Sequence, residues 1–122
     1  MIKNESASSG NGEPFIELHV DLSVDPSNEK DLVANFANLF RPVVSRQPGF
    51  KNVKLLRLRS ALAGAPPTAA NYRFVLTFES EDLRQRWIAS QAHQDAWPAI
   101  AKTLASDQLT ILLYDASGCD AV

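Results

Sequence analysis

Four short segments of the chain carry strand patterns, and their positions restrict the fold more than any other feature of the sequence. In FIELHVDLSV, residues 15–24, apolar and polar residues alternate from Ile16 to Leu22, which is the period-two pattern of a strand with one apolar face. Three further strands are predicted in FKNVKLLRLRS (50–60), NYRFVLTFES (71–80) and QLTILLYDA (108–116). The apolar pattern of FKNVKLLRLRS changes phase between Leu55 and Leu56, which predicts either a bulge or a strand covered on both faces.

A long helical pattern separates the first two strands. Asp25 is a suitable N-cap, and Pro26 stands at the first helical position, where its missing N–H costs nothing. Apolar residues at helical spacing then form one wide stripe, which includes Leu32, Phe36, Phe40 and Val44. Pro42 is expected to kink the last turns, and the pair Pro48-Gly49 to end the helix.

A second helical pattern follows the third strand and holds both tryptophans and one of the two histidines. Ser80 is its expected N-cap. An apolar face runs along it, formed by Leu83 and Trp87 and then by His93, Trp97, Ile100 and Leu104. Because Ser90 can cap a restarted segment and Pro98 removes a backbone donor, we expect the helix to be broken or bent between them. A bend opposite a sheet leaves room for a cavity.

The resulting order β-α-β-β-α-β predicts an α+β domain of the ferredoxin-like type, with a four-stranded antiparallel sheet. We expect this domain to span residues 14–116. The polar segment 1–13 has almost nothing to bury and is expected to be a flexible tail, and residues 117–122 a short C-terminal tail.

Helices can cover only one face of such a sheet, yet the second and fourth strand patterns carry apolar residues on both faces. An apolar face left uncovered is typical of a partner site. We therefore predict a homodimer in which two sheets pack face to face as an α+β barrel. His19 falls on that face, where a structural hydrogen bond is favoured over a catalytic role.

Composition and motifs exclude several classes of function. The net charge of −2 gives no basic surface for nucleic acid. No segment reaches the roughly 20 apolar residues of a membrane span, and the N-terminus lacks the apolar core of a secretory signal, so we expect a soluble, cytoplasmic protein. Cys119 is the single cysteine and permits no intramolecular disulfide. No clustered metal ligands or glycine-rich phosphate loop are present, so no metal, flavin or nicotinamide cofactor is predicted.

Several segments together resemble the antibiotic biosynthesis monooxygenase family. They are ELHVDLSV, RPVVSRQPGF, YRFVLTFES and the spacing Trp87-x-x-Ser90-x-x-His93. The resemblance extends from Phe15 to Asp115 and implies a ferredoxin-like domain that dimerises into an α+β barrel. The family includes oxygenases of phenols and quinols that need no cofactor, and a branch that degrades haem. For the oxygenases it implies a small aromatic substrate and O₂ as partners, with the deprotonated substrate supplying the electrons.

The resemblance also suggests where a site would lie. We expect a cavity between the helices and the sheet, with His93 and Trp87 as candidate catalytic residues. Candidate substrate-binding residues are Leu18, Phe36, Tyr72 and Trp97. His93 could transfer a proton or could be a buried histidine bonded to a backbone carbonyl, and the sequence leaves both alternatives open.

Haem degradation is disfavoured by the residues at two positions. The haem branch needs a histidine ten residues after its tryptophan, where this chain has Trp97, and an asparagine on the first strand, where this chain has Leu18. Two hypotheses remain. One is a monooxygenase without cofactor acting on a phenol, quinol or polyketide-like compound, and the other is a dimeric barrel protein that binds a small molecule or serves in stress without catalysis.

Overall fold

The computed structural model describes residues 14–116, so the two predicted tails, with Cys119, lie outside the described residues. The strands are β1 (Ile16–Leu22), β2 (Phe50–Arg57), β3 (Tyr72–Phe78) and β4 (Thr110–Asp115). The α-helices are α1 (Glu29–Asn35), α2 (Arg41–Val44), α3 (Glu81–Ala89) and α4 (Gln91–Ala101). Single-turn 3₁₀ segments occur at Pro26–Asn28 and Pro67–Ala69.

The four strands form one antiparallel sheet in the order β2-β3-β1-β4. In this order β1 and β3 occupy the centre, and a helical crossover joins each of them to the strand that lies two places away in the sheet, β1 to β2 and β3 to β4. The register places Leu18 opposite Leu76 on β3 and opposite Leu113 on β4. The predicted ferredoxin-like α+β fold is confirmed.

One face of the sheet packs against the helices and forms the core. The core combines alternate residues of the central strands with the apolar stripe of the helices. Its buried members include Leu18, Val20, Leu22, Leu32, Phe36, Phe40, Phe74, Leu76, Phe78, Trp87 and Ile100. The opposite side, which we call the outer face, carries Glu17, His19, Asp21, Leu56, Arg73, Val75, Leu112 and Tyr114.

The first helical run begins as predicted, because the Asp25 carboxylate accepts the Ser27 N–H at 2.9 Å. Between α1 and α2 the run widens into a π-helical turn, Phe36–Phe40, in which the Arg41 N–H donates to the Phe36 carbonyl. Pro42, two residues after Phe40, has no N–H to continue the α-helical ladder. The distortion predicted at Pro42 therefore occurs as a π turn just before it.

The bulge considered at Leu55 and Leu56 is not found there. The irregular pairing of β2 lies instead between Phe50 and Asn52, and pairing with β3 is regular from Val53 onward. Leu55 packs against the core, whereas Leu56 points to the outer face and is 43% exposed. The phase change therefore reflects two apolar residues on opposite faces of a regular strand.

Candidate active site

Ser90 separates α3 from α4. Its backbone is extended, with φ −78° and ψ 155°, and its hydroxyl serves both helices. The Oγ donates to the Trp87 carbonyl at 2.6 Å and accepts the His93 N–H at 3.2 Å. The expected break therefore occurs at Ser90. Pro98 lies inside α4, which continues to Ala101.

The break brings three aromatic rings together. The imidazole of His93 meets the indole of Trp87 edge to face, with centroids 5.0 Å apart and an interplanar angle of 86°. On its other side His93 lies parallel to Trp97, with centroids 6.4 Å apart. Trp87 is 2% exposed and also contacts Phe40 edge to face. Two perpendicular aromatic surfaces thus meet at His93.

These rings line a cavity of about 200 Å³ between the helices and the sheet. The other walls come from β1, β3, the π turn, and the start of β4 with the residue before it. Its lining residues are Leu18, Val20, Phe40, Phe74, Leu76, Trp87, Ile88, His93, Trp97, Leu109 and Ile111. The walls are therefore almost entirely apolar, and Ile88 and Ile111 are partly exposed at the opening.

His93 is the one titratable side chain among the lining residues. Burial lowers the pKa of its imidazole below the ordinary value, because the charged form is poorly solvated there. Its Nδ1 atom is buried and has no hydrogen-bond partner within residues 14–116. The cavity therefore holds a neutral imidazole in a setting that can accept an apolar aromatic compound.

Four of the six expected site residues line this cavity: Leu18, Trp87, His93 and Trp97. Phe36 is not among the lining residues and instead stacks on Phe40, with centroids 5.9 Å apart.

Tyr72 is also not among the lining residues. Its hydroxyl donates to Glu29 Oε1 at 2.7 Å, and the Arg57 Nε–H donates to the same oxygen. Burial, together with this bond, raises the pKa of Tyr72, and the bond lowers the pKa of Glu29. Tyr72 thus joins β3 to α1 at a distance from the aromatic walls.

Several lining residues were not among the expected site residues. Val20, Phe74 and Leu76 occupy helix-facing strand positions, and Phe40 belongs to the helical stripe, so strand and helix periodicity alone would have included them. Ile88 and Leu109 carry no such signal. Ile88 lines the cavity from the last turn of α3, beside the break at Ser90.

The second histidine lies on the outer face. His19 Nε2 donates to Glu17 Oε1 at 3.0 Å, and the ring meets Tyr114 edge to face at 4.7 Å. Beside it, Arg73 binds the buried carboxylate of Asp21 through two hydrogen bonds, of 2.8 and 3.1 Å. His19 therefore belongs to a network separate from the cavity.

Two general features of the described residues bear on function. Within residues 14–116, no group of three or more His, Cys, Asp or Glu side chains is placed to hold a metal ion. In the same part of the chain, no helix is long and apolar enough to cross a membrane.

Solved structures share the fold. SnoaB, a cofactor-independent oxygenase from Streptomyces nogalater, is 18% identical in a variant structure, with a TM-score of 0.66 over 84% of this chain and 93% of that chain. A dimeric ferredoxin-like protein of unknown function from Jannaschia sp. CCS1 is 13% identical, with a TM-score of 0.69 over 83% and 98%. A protein of the same description from Thermobifida fusca is 16% identical, with a TM-score of 0.64 over 84% and 92%. At these identities the similarity establishes the fold alone.

The fold and the cavity define a class, the ferredoxin-like α+β domains with an apolar pocket between helices and sheet. The family model for antibiotic biosynthesis monooxygenases matches residues 15–99. The chain therefore belongs to the antibiotic biosynthesis monooxygenase family. It matches no curated protein significantly.

Proposed function

We propose that this protein is a monooxygenase that uses no cofactor and acts with O₂ on a small aromatic phenol or quinol. The observation that carries the proposal is the apolar cavity walled by Trp87, His93 and Trp97, with one neutral imidazole among its lining groups. Membership of the family supports it, as does the shared fold with a cofactor-independent oxygenase.

The reaction can balance without a resident redox group. A hydroquinone that gains one ring hydroxyl and becomes a quinone loses four electrons, and O₂ takes up those four electrons. One oxygen atom forms the new C–O bond, and the other leaves as water with two protons. The substrate loses its two phenolic protons and one ring hydrogen; two of these three leave in the water and the third is carried by the new hydroxyl group, so the atoms balance. The protein's part is to hold the phenolate against O₂ in a dry pocket and to stabilise oxygen-centred charge.

Haem does not fit this site. The cavity is about 200 Å³, close to the roughly 150 Å³ of an apolar cavity that binds a single benzene. Trp97, at the position expected for an axial histidine, is a cavity wall and offers no ligand for iron.

A binding protein without catalysis is the second candidate. The observation that favours it is that His93 is the sole titratable side chain among the cavity's lining residues, so no acid-base partner stands beside it. Such a protein would bind the same aromatic compounds and leave O₂ unconsumed.

We further propose that the protein works as a homodimer through the outer face. Leu56, Leu112 and Tyr114 are 43%, 40% and 47% exposed there, which is unfavourable for a free surface. The Asp21–Arg73 pair on the same face is already mutually neutralised, so burying it leaves no unpaired charge. Two similarly folded proteins are described as dimeric.

Oxygen uptake with a panel of hydroquinone, 1,4-dihydroxynaphthalene and anthrone tests the proposal. We expect at least one compound to be consumed faster with protein than by autoxidation in buffer. His93→Ala and Trp87→Phe should lower the rate at least tenfold, while Gln94→Ala, on the exposed side of α4, should not. Saturable binding of the panel with no uptake above autoxidation would favour the binding protein.

A further inference from the structure

The size of the cavity limits what can enter it. Its volume is about 200 Å³, against roughly 300–1,000 Å³ for typical ligand pockets. Since an apolar cavity of about 150 Å³ binds benzene, this one matches a compound of one or two rings. A three-ring compound would leave a ring outside the opening, or would require walls that include the fully buried Phe40 and Leu76 to move.

The charge of the cavity limits the substituents. None of the lining residues is a lysine, arginine, aspartate or glutamate. A carboxylate or sulfonate on the ligand would therefore be buried without a partner, which is costly. A neutral compound, or one whose single anionic oxygen meets a hydrogen-bond donor, is the chemistry that this surface accepts.

The donor is set by the two nitrogens of His93. Neutral imidazole carries one N–H, and the other nitrogen is an acceptor. Nδ1 is buried without a partner within the described residues, and a buried N–H that donates to nothing is the more costly alternative. The proton therefore belongs on Nε2. Because Nδ1 is closed off, Nε2 is also the nitrogen through which His93 can meet a ligand in the cavity.

We propose that the site takes a neutral aromatic compound of one or two rings, and that His93 binds its oxygen as a hydrogen-bond donor through Nε2–H. This inference rests on the proposed function for its substrate class. It assigns His93 the stabilisation of a phenolate or ketone oxygen, and it leaves the removal of the phenolic proton to solvent at the cavity opening. Trp97, whose indole lies parallel to the imidazole, offers the ring of the compound an aromatic surface to pack against.

The tautomer can be measured without any turnover. In protein labelled with ¹⁵N-histidine, long-range ¹H–¹⁵N spectra at pH 7.5 distinguish the two tautomers, and His93→Gln identifies the His93 signals beside those of His19. We expect the Nε2–H form for His93. An Nδ1–H form, with the proton directed at the Trp87 ring, would overturn the proposal even if the protein proves to be an oxygenase.

Ligand choice can be measured with unreactive compounds. α-Tetralone has two rings and one acceptor oxygen, and it should bind and shift the His93 Nε2–H signal. Tetralin lacks the oxygen and should bind about fivefold more weakly with no such shift. 1-Naphthoate is anionic, 9-fluorenone has three rings, and each should bind at least about tenfold more weakly than α-tetralone. Equal affinity for α-tetralone and tetralin, or for α-tetralone and 9-fluorenone, would overturn the proposal.

Substitution of His93 distinguishes a role as hydrogen-bond donor from a role as proton acceptor. Gln can donate a hydrogen bond but cannot take up a proton at neutral pH. His93→Gln should therefore keep most of the α-tetralone affinity that His93→Leu loses, and the oxygenase rate of His93→Gln should exceed that of His93→Leu. If α-tetralone binds as described but no quinol is oxidised, the proposed function fails and the assignment of His93 stands. Equal loss of affinity in the two variants would sink the assignment.

Discussion

The imidazole of His93 lies parallel to the indole of Trp97, with an interplanar angle of 6° and centroids 6.4 Å apart. The two residues are one helical turn apart on α4, so their proximity follows from spacing on one helix. What lies against them does not follow from that spacing, because Trp87 comes from the preceding helix and meets His93 at a right angle. This meeting of two helices forms the aromatic wall of the cavity.

Protonation of His93 should destabilise the fold. Burial holds its pKa below the ordinary value of 6.5, so above that pH both folded and unfolded chains carry a neutral imidazole. Below it the unfolded chain binds the proton first, and the free energy of unfolding falls as pH falls. We expect urea denaturation to show that, between pH 7.5 and 5.5, the free energy of unfolding falls more steeply for the wild type than for His93→Gln. A shallower fall in the wild type would contradict a lowered pKa for His93 in the folded protein.

Ser90→Ala should affect both stability and the cavity, whereas Ser80→Ala should affect stability alone. Each serine accepts a cap hydrogen bond of 3.2 Å, Ser80 from the Leu83 N–H and Ser90 from the His93 N–H. Loss of either cap should lower the free energy of unfolding, measured by urea denaturation, by about 1 kcal/mol. Only Ser90 also lies between two cavity residues, Ile88 and His93. The affinity for α-tetralone should therefore drop in Ser90→Ala and not in Ser80→Ala. Equal ligand binding in both variants would show that the break does not shape the cavity.

Tyr72→Phe should lower stability with little effect on turnover. The change removes the hydrogen bond to Glu29 and should cost about 1 kcal/mol in the free energy of unfolding. Since Tyr72 is not among the cavity's lining residues, kcat/KM for quinol oxidation should stay within about twofold of the wild type. A large rise in KM would restore Tyr72 as a substrate-binding residue.

Gly49→Ala should be more harmful than Gly64→Ala, although both glycines have positive φ angles of 84° and 72°. A methyl group at Gly49 would lie 2.5 Å from Leu83 Cδ1, whereas nothing lies within 4 Å of one at Gly64. Backbone strain alone should cost about 1 kcal/mol at Gly64, and the clash should raise the cost to about 3 kcal/mol at Gly49. Thermal unfolding measures both. Similar costs would mean that Leu83 moves aside.

A charge on the outer face should break the dimer. Leu112→Asp places a carboxylate in the proposed interface, so sedimentation velocity at micromolar concentration should show a dimer for the wild type and a monomer for the variant. Leu62→Asp is the matched control, because Leu62 is 95% exposed in a loop and should leave the dimer intact. A monomeric wild type at this concentration would refute the interface.

Much of the fold could be predicted because it depends on local periodicity. The alternation in β1, the cap at Asp25 and the serines at positions 80 and 90 act through neighbours within a few residues, so their physical effect is visible in the printed sequence. The same periodicity placed Leu18, Trp87, His93 and Trp97 on buried faces, and all four line the cavity.

The tertiary structure alone decided which buried residues meet. Phe36 and Tyr72 share the helix-facing side with the cavity residues, but the π turn stacks Phe36 on Phe40, and Glu29 holds the hydroxyl of Tyr72. Likewise, Ile88 lines the cavity from the last turn of α3, a position that helical periodicity did not single out. Sequence by itself determined which faces are apolar, since that depends on residues three or four positions apart. The cavity depends on distances between segments far apart in the chain, which only packing fixes.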